Sequence, residues 1–355
     1  MIDKKDIRQL SFFEIQDYFL DIDEPRFRAK QVYEWLWKKR ATSFDEMTNL
    51  SFALREKLNE NFKIPHLKIS NFQQSKDGTI KTAFKLSDNR FVEGVIIPVL
   101  EDKRITACIS SQVGCSLSCK FCATGFLKRE RNLLPHEIYD QVYTLNQLCL
   151  EKFDNPLTNV VFMGMGEPLL NYKNVLEGIE KISSDEGMNF SAKRITVSTA
   201  GIAKMITKLA DNNVRFNLAL SLHAANDDKR DKIMPINEQN NLEALSQSLN
   251  HFINRSRNKL TYEYILLSEF NDTEQDAIEL ATFCKKNPAM VNIIEYNAVE
   301  GVEFKRANKN RLNKFVKKLV DLNVNVTVRK SRGEDIDAAC GQLANKLEWK
   351  RFLKY

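Results

Sequence analysis

From Arg104 onward the chain alternates two periodicities. Short runs rich in β-branched residues (RITACIS, NVVFMGM, RITVST, RFNLALSL, LTYEYILL and VNIIEYN) are separated by stretches whose apolar residues recur at helical spacing, such as LLPHEIYDQVYTLNQLCL and EALSQSLNHFI. Parallel strands need crossovers of a dozen or more residues, and those crossovers are right-handed helices. The pattern predicts an α/β unit built on a parallel sheet and curled into a partial (β/α) barrel. The chemically distinctive residues follow the strands: Cys115 to Cys122 after the first, Gly164 to Glu167 after the second, Ser198 in the third, Ser221 and His223 at the fourth, Asn297 after the sixth. The carboxyl ends of parallel strands share one face, so these scattered positions are expected to converge on one mouth.

Upstream, the pattern changes twice. Residues 1–65 read as a helical accessory domain, because SFFEIQDYFL, RFRAKQVYEWLWKKR and SFALREKLNENF each repeat apolar residues at helical spacing. Residues 66–100 read as a β-rich connector with turns at Asp77-Gly78 and Asp88-Asn89; residues 101–345 form the barrel unit, and residues 346–355 a C-terminal tail. No apolar run approaches the roughly 20 residues that span a bilayer, and MIDKKDIRQL lacks the apolar stretch of a secretory signal. A cytoplasmic protein with reduced thiols and no membrane contact is expected. A formal charge of +6 suits a polyanionic partner without requiring one. Arg26, Arg28, Lys30, Lys38, Lys39 and Arg40 lie among aromatic residues, which fits either an RNA contact or a solvated helix face.

Three of the seven cysteines crowd into CSLSCKFC. A structural zinc site usually takes four protein ligands in two separated pairs, whereas Cys115, Cys119 and Cys122 offer three thiolates in one loop. Three ligands suit a [4Fe–4S] cluster whose fourth iron stays open to S-adenosylmethionine (SAM); the competing reading recruits Cys108 as a fourth ligand to zinc. Gly164-Met165-Gly166-Glu167 suits close backbone approach and an acceptor for an ammonium group, or is simply a turn closed by Pro168. Cys340 is either an accessible thiolate beside RKSR or a buried small hydrophobe. His223 is a site ligand or a satisfied core histidine, and Cys149 and Cys284 read as core residues of helices.

CISSQVGCSLSCKFCATG, FMGMGEPLLN, VSTAGI, LALSLHAAND, MPIN and RGEDIDAACGQL together resemble the RlmN family of dual-specificity 23S rRNA and tRNA adenine C2 methyltransferases, and EPRFRAKQVYEWLWKK resembles that family's accessory domain. Pro168 and Arg332 resemble the C2 group rather than the related Cfr type, which modifies C8. The resemblance implies a radical SAM core with the [4Fe–4S] cluster on Cys115, Cys119 and Cys122. SAM, two per turnover, would be lined by Gly166, Glu167, Ser198, Ser221, Leu222, His223 and Asn297. It further implies that Cys340 carries the methyl group, that Cys108 closes a transient disulfide with it, and that Glu93 is the proton acceptor. The implied partners are 23S rRNA, tRNA and an external one-electron reductant such as flavodoxin, acting on a monomer. A non-catalytic iron–sulfur or zinc RNA-binding protein is the alternative from another class.

Overall fold

The computed structural model describes residues 4–345, so the tail expected at 346–355 lies outside the described residues. Strand β1 (Lys5–Asp6) precedes helices α1 (Phe12–Asp21), α2 (Phe27–Trp37) and α3 (Phe52–Asn61), and pairs with β2 (Phe62–Lys63). Capping starts two of these helices: Ser11 and Glu14 satisfy each other's backbone N–H groups, and Ser51 Oγ accepts the Leu54 N–H. The helical unit docks on the barrel through a buried ion pair, with Arg8 Nη1 donating to Asp140 Oδ1 at 3.0 Å. Arg40 shares that carboxylate, and Tyr139 donates its hydroxyl to the Trp37 carbonyl while its ring meets Trp37 edge-on. Arg40 is thereby committed to the interior joint rather than to a free RNA-facing surface.

Next come β3 (Lys68–Gln74), β4 (Ile80–Lys85), β5 (Phe91–Val99) and β6 (Arg104–Cys108), followed by the small pair β7 (Gln112–Val113) and β8 (Arg131–Asn132), which brackets the cysteine loop. The alternating part runs α4 (Pro135–Phe153), β9 (Asn159–Phe162), α5 (Tyr172–Ser183), β10 (Ile195–Thr199), α6 (Ala203–Asp211) and β11 (Asn217–Ser221). It continues with α7 (Asp227–Ile233), α8 (Leu242–Arg255), β12 (Leu260–Leu266), α9 (Glu274–Lys286), β13 (Met290–Glu295), α10 (Lys309–Asp321) and β14 (Val326–Arg329).

These strands make one sheet in the order β14-β13-β12-β11-β10-β9-β6-β5-β4-β3. The run from β14 to β6 is parallel, and β5, β4 and β3 continue it antiparallel. The α/β class and the barrel that stays partial are as expected. The stretch 66–100, expected to connect two units, supplies three further strands of the same sheet, and β14 is a seventh parallel strand that the short, charge-flanked VTVR did not announce.

The sheet's edge strands, β14 and β3, do not pair with each other. The chain after β14 crosses that open side instead. Asp77 Oδ2 accepts the Gly333 N–H at 3.0 Å, Ser75 Oγ bonds Asp335 Oδ1 at 2.6 Å, and Glu93 Oε2 accepts the N–H groups of Ala344 and Asn345 at 3.0 and 3.1 Å. Among the described residues no helix is long and apolar enough to cross a membrane.

Candidate active site

The loop between β7 and β8 is folded on itself by its own backbone. Cys122 N–H donates to the Cys119 carbonyl at 3.2 Å, and Gly125 N–H to the Cys122 carbonyl at 2.9 Å. Gly125 is required there, since a Cβ would stand 2.6 Å from the Cys119 carbonyl oxygen. All three thiols are free and open into one cavity. Burial pushes each thiol up, Cys115 to about 12, so without a metal they hold their protons. Among the described residues no three His, Cys, Asp or Glu side chains are gathered tightly enough for a single metal ion. Four thiols line this cavity, those of Cys115, Cys119, Cys122 and Cys340, and the three that come from one loop suit a four-iron cube that keeps one iron open. Cys108 lines a neighbouring cavity and not this one, so it does not complete a four-cysteine zinc set.

The opposite wall of the cavity is made by strand ends. Gly166, Glu167, Ser198, Ser221 and His223 all line it. Gly166 has φ +94°, and a Cβ on it would lie 2.5 Å from the Gln112 Cβ; no other residue lets the β9 turn approach β7 so closely. Gln112 holds that turn, its Oε1 accepting the Glu167 N–H at 2.9 Å. The Glu167 carboxylate is buried, accepts the N–H groups of Leu169 at 3.0 Å and Ala200 at 2.7 Å, and is pushed up to about 6 by burial. Ser198 and Ser221 face each other with their hydroxyl oxygens 3.4 Å apart.

His223 sits in the left-handed region at φ +56°, and its Nδ1 accepts the Ile265 N–H at 3.1 Å. The ring proton therefore resides on Nε2, and burial together with the Arg230 charge lowers its pKa to about 3, keeping it neutral. The ring packs edge-on against Phe121, which precedes Cys122.

Cys340 joins this cavity to a second one. It lines the first together with the three cysteines, and the second together with Cys108, Asn297 and Arg329. Two bonds to the cysteine loop hold its segment in place: the Ala123 N–H donates to the Gly341 carbonyl at 2.7 Å, and the Thr124 hydroxyl to the Leu343 carbonyl. Asn297 Nδ2 reaches the Cys340 carbonyl at 3.4 Å. Burial pushes the Cys108 thiol up to about 12, and burial also pushes Cys340 up. The Arg329 guanidinium pulls both back down, while its own Nη1 bonds Glu263 Oε2 at 3.1 Å.

Two expected residues line neither cavity. The Leu222 side chain is fully buried in the core, and only its backbone takes part, its carbonyl accepting from Arg230 Nε at 3.1 Å. Glu93 is buried, 3.7 Å from Lys81 Nζ, with its other oxygen bonded to the backbone of Ala344 and Asn345. Three residues at the site went unmarked in the sequence. Arg230 is fully buried and bonds the carbonyls of Ala200, Ser221 and Leu222, tying the ends of β10 and β11 together; its run, DDKRDK, has the look of a solvated helix face. Glu263 sits inside the β-like run LTYEYILL, where only its charge at an inward strand position could have flagged it, and Arg329 ends the unforeseen strand β14.

Residues 5–64 match the family model for the ribosomal RNA large subunit methyltransferase N-terminal domain, and residues 109–281 that of the radical SAM superfamily. The chain is 57% identical to a probable dual-specificity RNA methyltransferase RlmN of Cytophaga hutchinsonii, a match covering 97% of this chain and 94% of that protein. It is 43% identical to the dual-specificity RNA methyltransferase RlmN of Geobacter sulfurreducens, covering 97% and 93%. The crystal structure of a radical SAM methyltransferase from Sphaerobacter thermophilus is similar with a TM-score of 0.88 at 36% identity, covering 96% of this chain and 99% of that one.

Proposed function

Because this chain belongs to the RlmN family of radical SAM RNA methyltransferases, we propose that it methylates carbon 2 of adenine in 23S rRNA and tRNA by way of an S-methylated Cys340. Carbon 2 is electron-poor and carries an unactivated hydrogen, so it does not displace the methyl of SAM directly. A cysteine thiolate does: a sulfur–carbon bond forms on Cys340 as the sulfonium–methyl bond breaks, and S-adenosylhomocysteine leaves. A [4Fe–4S] cluster on Cys115, Cys119 and Cys122, with a second SAM on its open iron, supplies when bound and reduced the radical chemistry that activates the S-methyl group. Gly166, Glu167, Ser198, Ser221 and His223 form the SAM wall, Glu167 receiving the ammonium group. Leu222 contributes through its backbone, and Asn297 by orienting the Cys340 carbonyl.

The observation that carries this reading is the place of Cys340 on the wall shared by the two cavities, one with the cluster cysteines and one with Cys108. One residue thus borders both the cavity of the loop cysteines and the cavity of Cys108. Once the methylene is bonded to adenine, the adduct's unpaired electron would return to the oxidised cluster and the C2 proton go to an acceptor, after which the Cys108 thiolate attacks the Cys340 sulfur. A disulfide forms, the sulfur–methylene bond breaks, and its electron pair stays with the base, which takes up a proton as a methyl group. Glu93 is the proton acceptor in this scheme, and its hold on Ala344 and Asn345 ties that role to the position of the Cys340 segment. An external one-electron reductant of the flavodoxin kind feeds the cluster, a thiol reductant resets the disulfide, and the protein acts as a cytoplasmic monomer.

Two measurements test the reading. Nucleosides from RNA treated with the reconstituted enzyme should contain 2-methyladenosine by mass spectrometry; 8-methyladenosine alone would move the chain to C8 chemistry. Cys108→Ala should be isolated with RNA covalently attached, seen as a ribonuclease-sensitive shift on denaturing gels, and Cys340→Ala should carry none. Normal product release by Cys108→Ala removes the disulfide step.

A further inference from the structure

At the end of the sheet opposite the mouth, the loops leading into β10, β11 and β12 enclose a second, wider cleft of about 710 Å³. Four cations line it: Lys193, Arg215, Arg255 and Arg257, with Arg194 and Lys259 exposed on the same loops. Arg255 lies 3.7 Å from Asp211, which it shares with His251. Among the described residues, Lys193, Arg215 and Arg257 have no carboxylate within ion-pair distance. The remaining lining is mainly hydroxyl and amide side chains, including Ser191, Asn189 and Asn258, with no carboxylate among them. Three cations without counter-charges, kept together in a concavity, maintain a standing positive potential, and guanidinium groups match phosphate geometry.

The chemistry that recognises such a cleft is a phosphodiester backbone. Three adjacent strand starts span about 10 Å, which at one charge per about 3.4 Å of strand takes in about three phosphates. β10 holds five residues, so the cleft lies on the order of 17 Å from the mouth along the strands. It is therefore out of reach of the nucleotides flanking the adenine in the active site.

We propose that this cleft is a second RNA-binding site, which grips the phosphate backbone of a segment remote from the target adenine. It thereby favours long, folded RNA over a short hairpin carrying the same adenine. The proposal rests on RNA being the substrate and extends it to a face of the protein that the methylation chemistry does not use. Neutralised phosphates release counter-ions, so the salt dependence of binding counts them.

The test uses the full-length, cluster-loaded protein with Lys193→Glu, Arg215→Glu and Arg257→Glu combined, a domain-length 23S rRNA fragment, and a hairpin bearing the target adenine. Affinity for the long RNA should fall about tenfold or more, and the slope of log affinity against log salt should become shallower by about two to three. Hairpin methylation should stay within about twofold of wild type, since each removed contact is phosphate-only and remote. An unchanged affinity and slope for the long RNA overturns the proposal, as does an equal loss on both RNAs. Inorganic phosphate at constant ionic strength should not displace the long RNA; displacement to the level of the triple variant makes the cleft a phosphate-ion site and overturns it too. Photocrosslinking of 4-thiouridine RNA to the unmodified protein needs no variant: crosslinks at residues 189–193, 213–215 or 255–258 support the site, and crosslinks confined to other surfaces reject it. Failure of the wild-type enzyme to methylate either RNA would sink the functional reading and leave the RNA-binding result standing.

Discussion

Arg329 is the residue whose importance the sequence conceals best. It ends a strand that was not itself foreseen, yet its guanidinium draws down both outer cysteine thiols against the effect of burial and is held by Glu263. Removing it takes away the main opposition to burial, so the Cys340 thiol pKa rises and the thiolate fraction at any given pH falls. In Arg329→Met, the pH profile of Cys340 alkylation by iodoacetamide, followed on its peptide by mass spectrometry, should move to higher pH. At a fixed pH below the thiol pKa, alkylation slows about tenfold for every pH unit by which the profile moves. An unmoved profile would show that the cation does not act on the thiol. Cys115, Cys119, Cys122 and Cys340, which line one cavity, stand out in the chain because spacing and small neighbours mark them locally. Arg329, Glu263 and Arg230 were not, because their meaning lies in which strand end faces which, and local composition carries no trace of that.

Among the elements, the segment from Gly333 to Asn345 departs furthest from what periodicity could reveal. It has no repeat of its own beyond one short turn, and takes its course from Ser75 and Asp77 in the turn between β3 and β4 and from Glu93 on β5. Those strands were legible as β structure, but their membership of the main sheet was not, since an antiparallel hairpin reads the same whether it connects two units or extends one. Glu93 tests the link. Two hydrogen bonds to a carboxylate contribute about 1.5–3 kcal/mol each, so Glu93→Ala should speed hydrogen exchange of residues 338–345 by at least about tenfold and abolish methylation. Glu93→Gln retains an acceptor oxygen and should restore much of the protection while methylation stays lost. If the amide restores methylation as well, Glu93 holds the segment and is no base.

Across the whole molecule, the helical unit and the barrel meet at a carboxylate buried with its arginine. The side chains of Arg8 and Asp140 are 1% and 0% exposed, so breaking the pair strands a charge away from water. Asp140→Ala should destabilise the protein by about 3–5 kcal/mol, seen as a lower urea midpoint; loss of well under 1 kcal/mol would mean the joint is held by Trp37 and Tyr139 instead. The α/β class and the helical start were both legible because each rests on a long-range periodicity. The joint between them was not, since Arg8 and Asp140 are 132 positions apart.

The open side of the sheet carries a mechanical consequence. The stretch that crosses it bears Cys340 and is tied at both ends, Gly333 to Asp77 and Ala344 and Asn345 to Glu93. The place of that sulfur is therefore set by the antiparallel strands and their turn as much as by the strand that precedes it, and any shift of those strands is handed on to it.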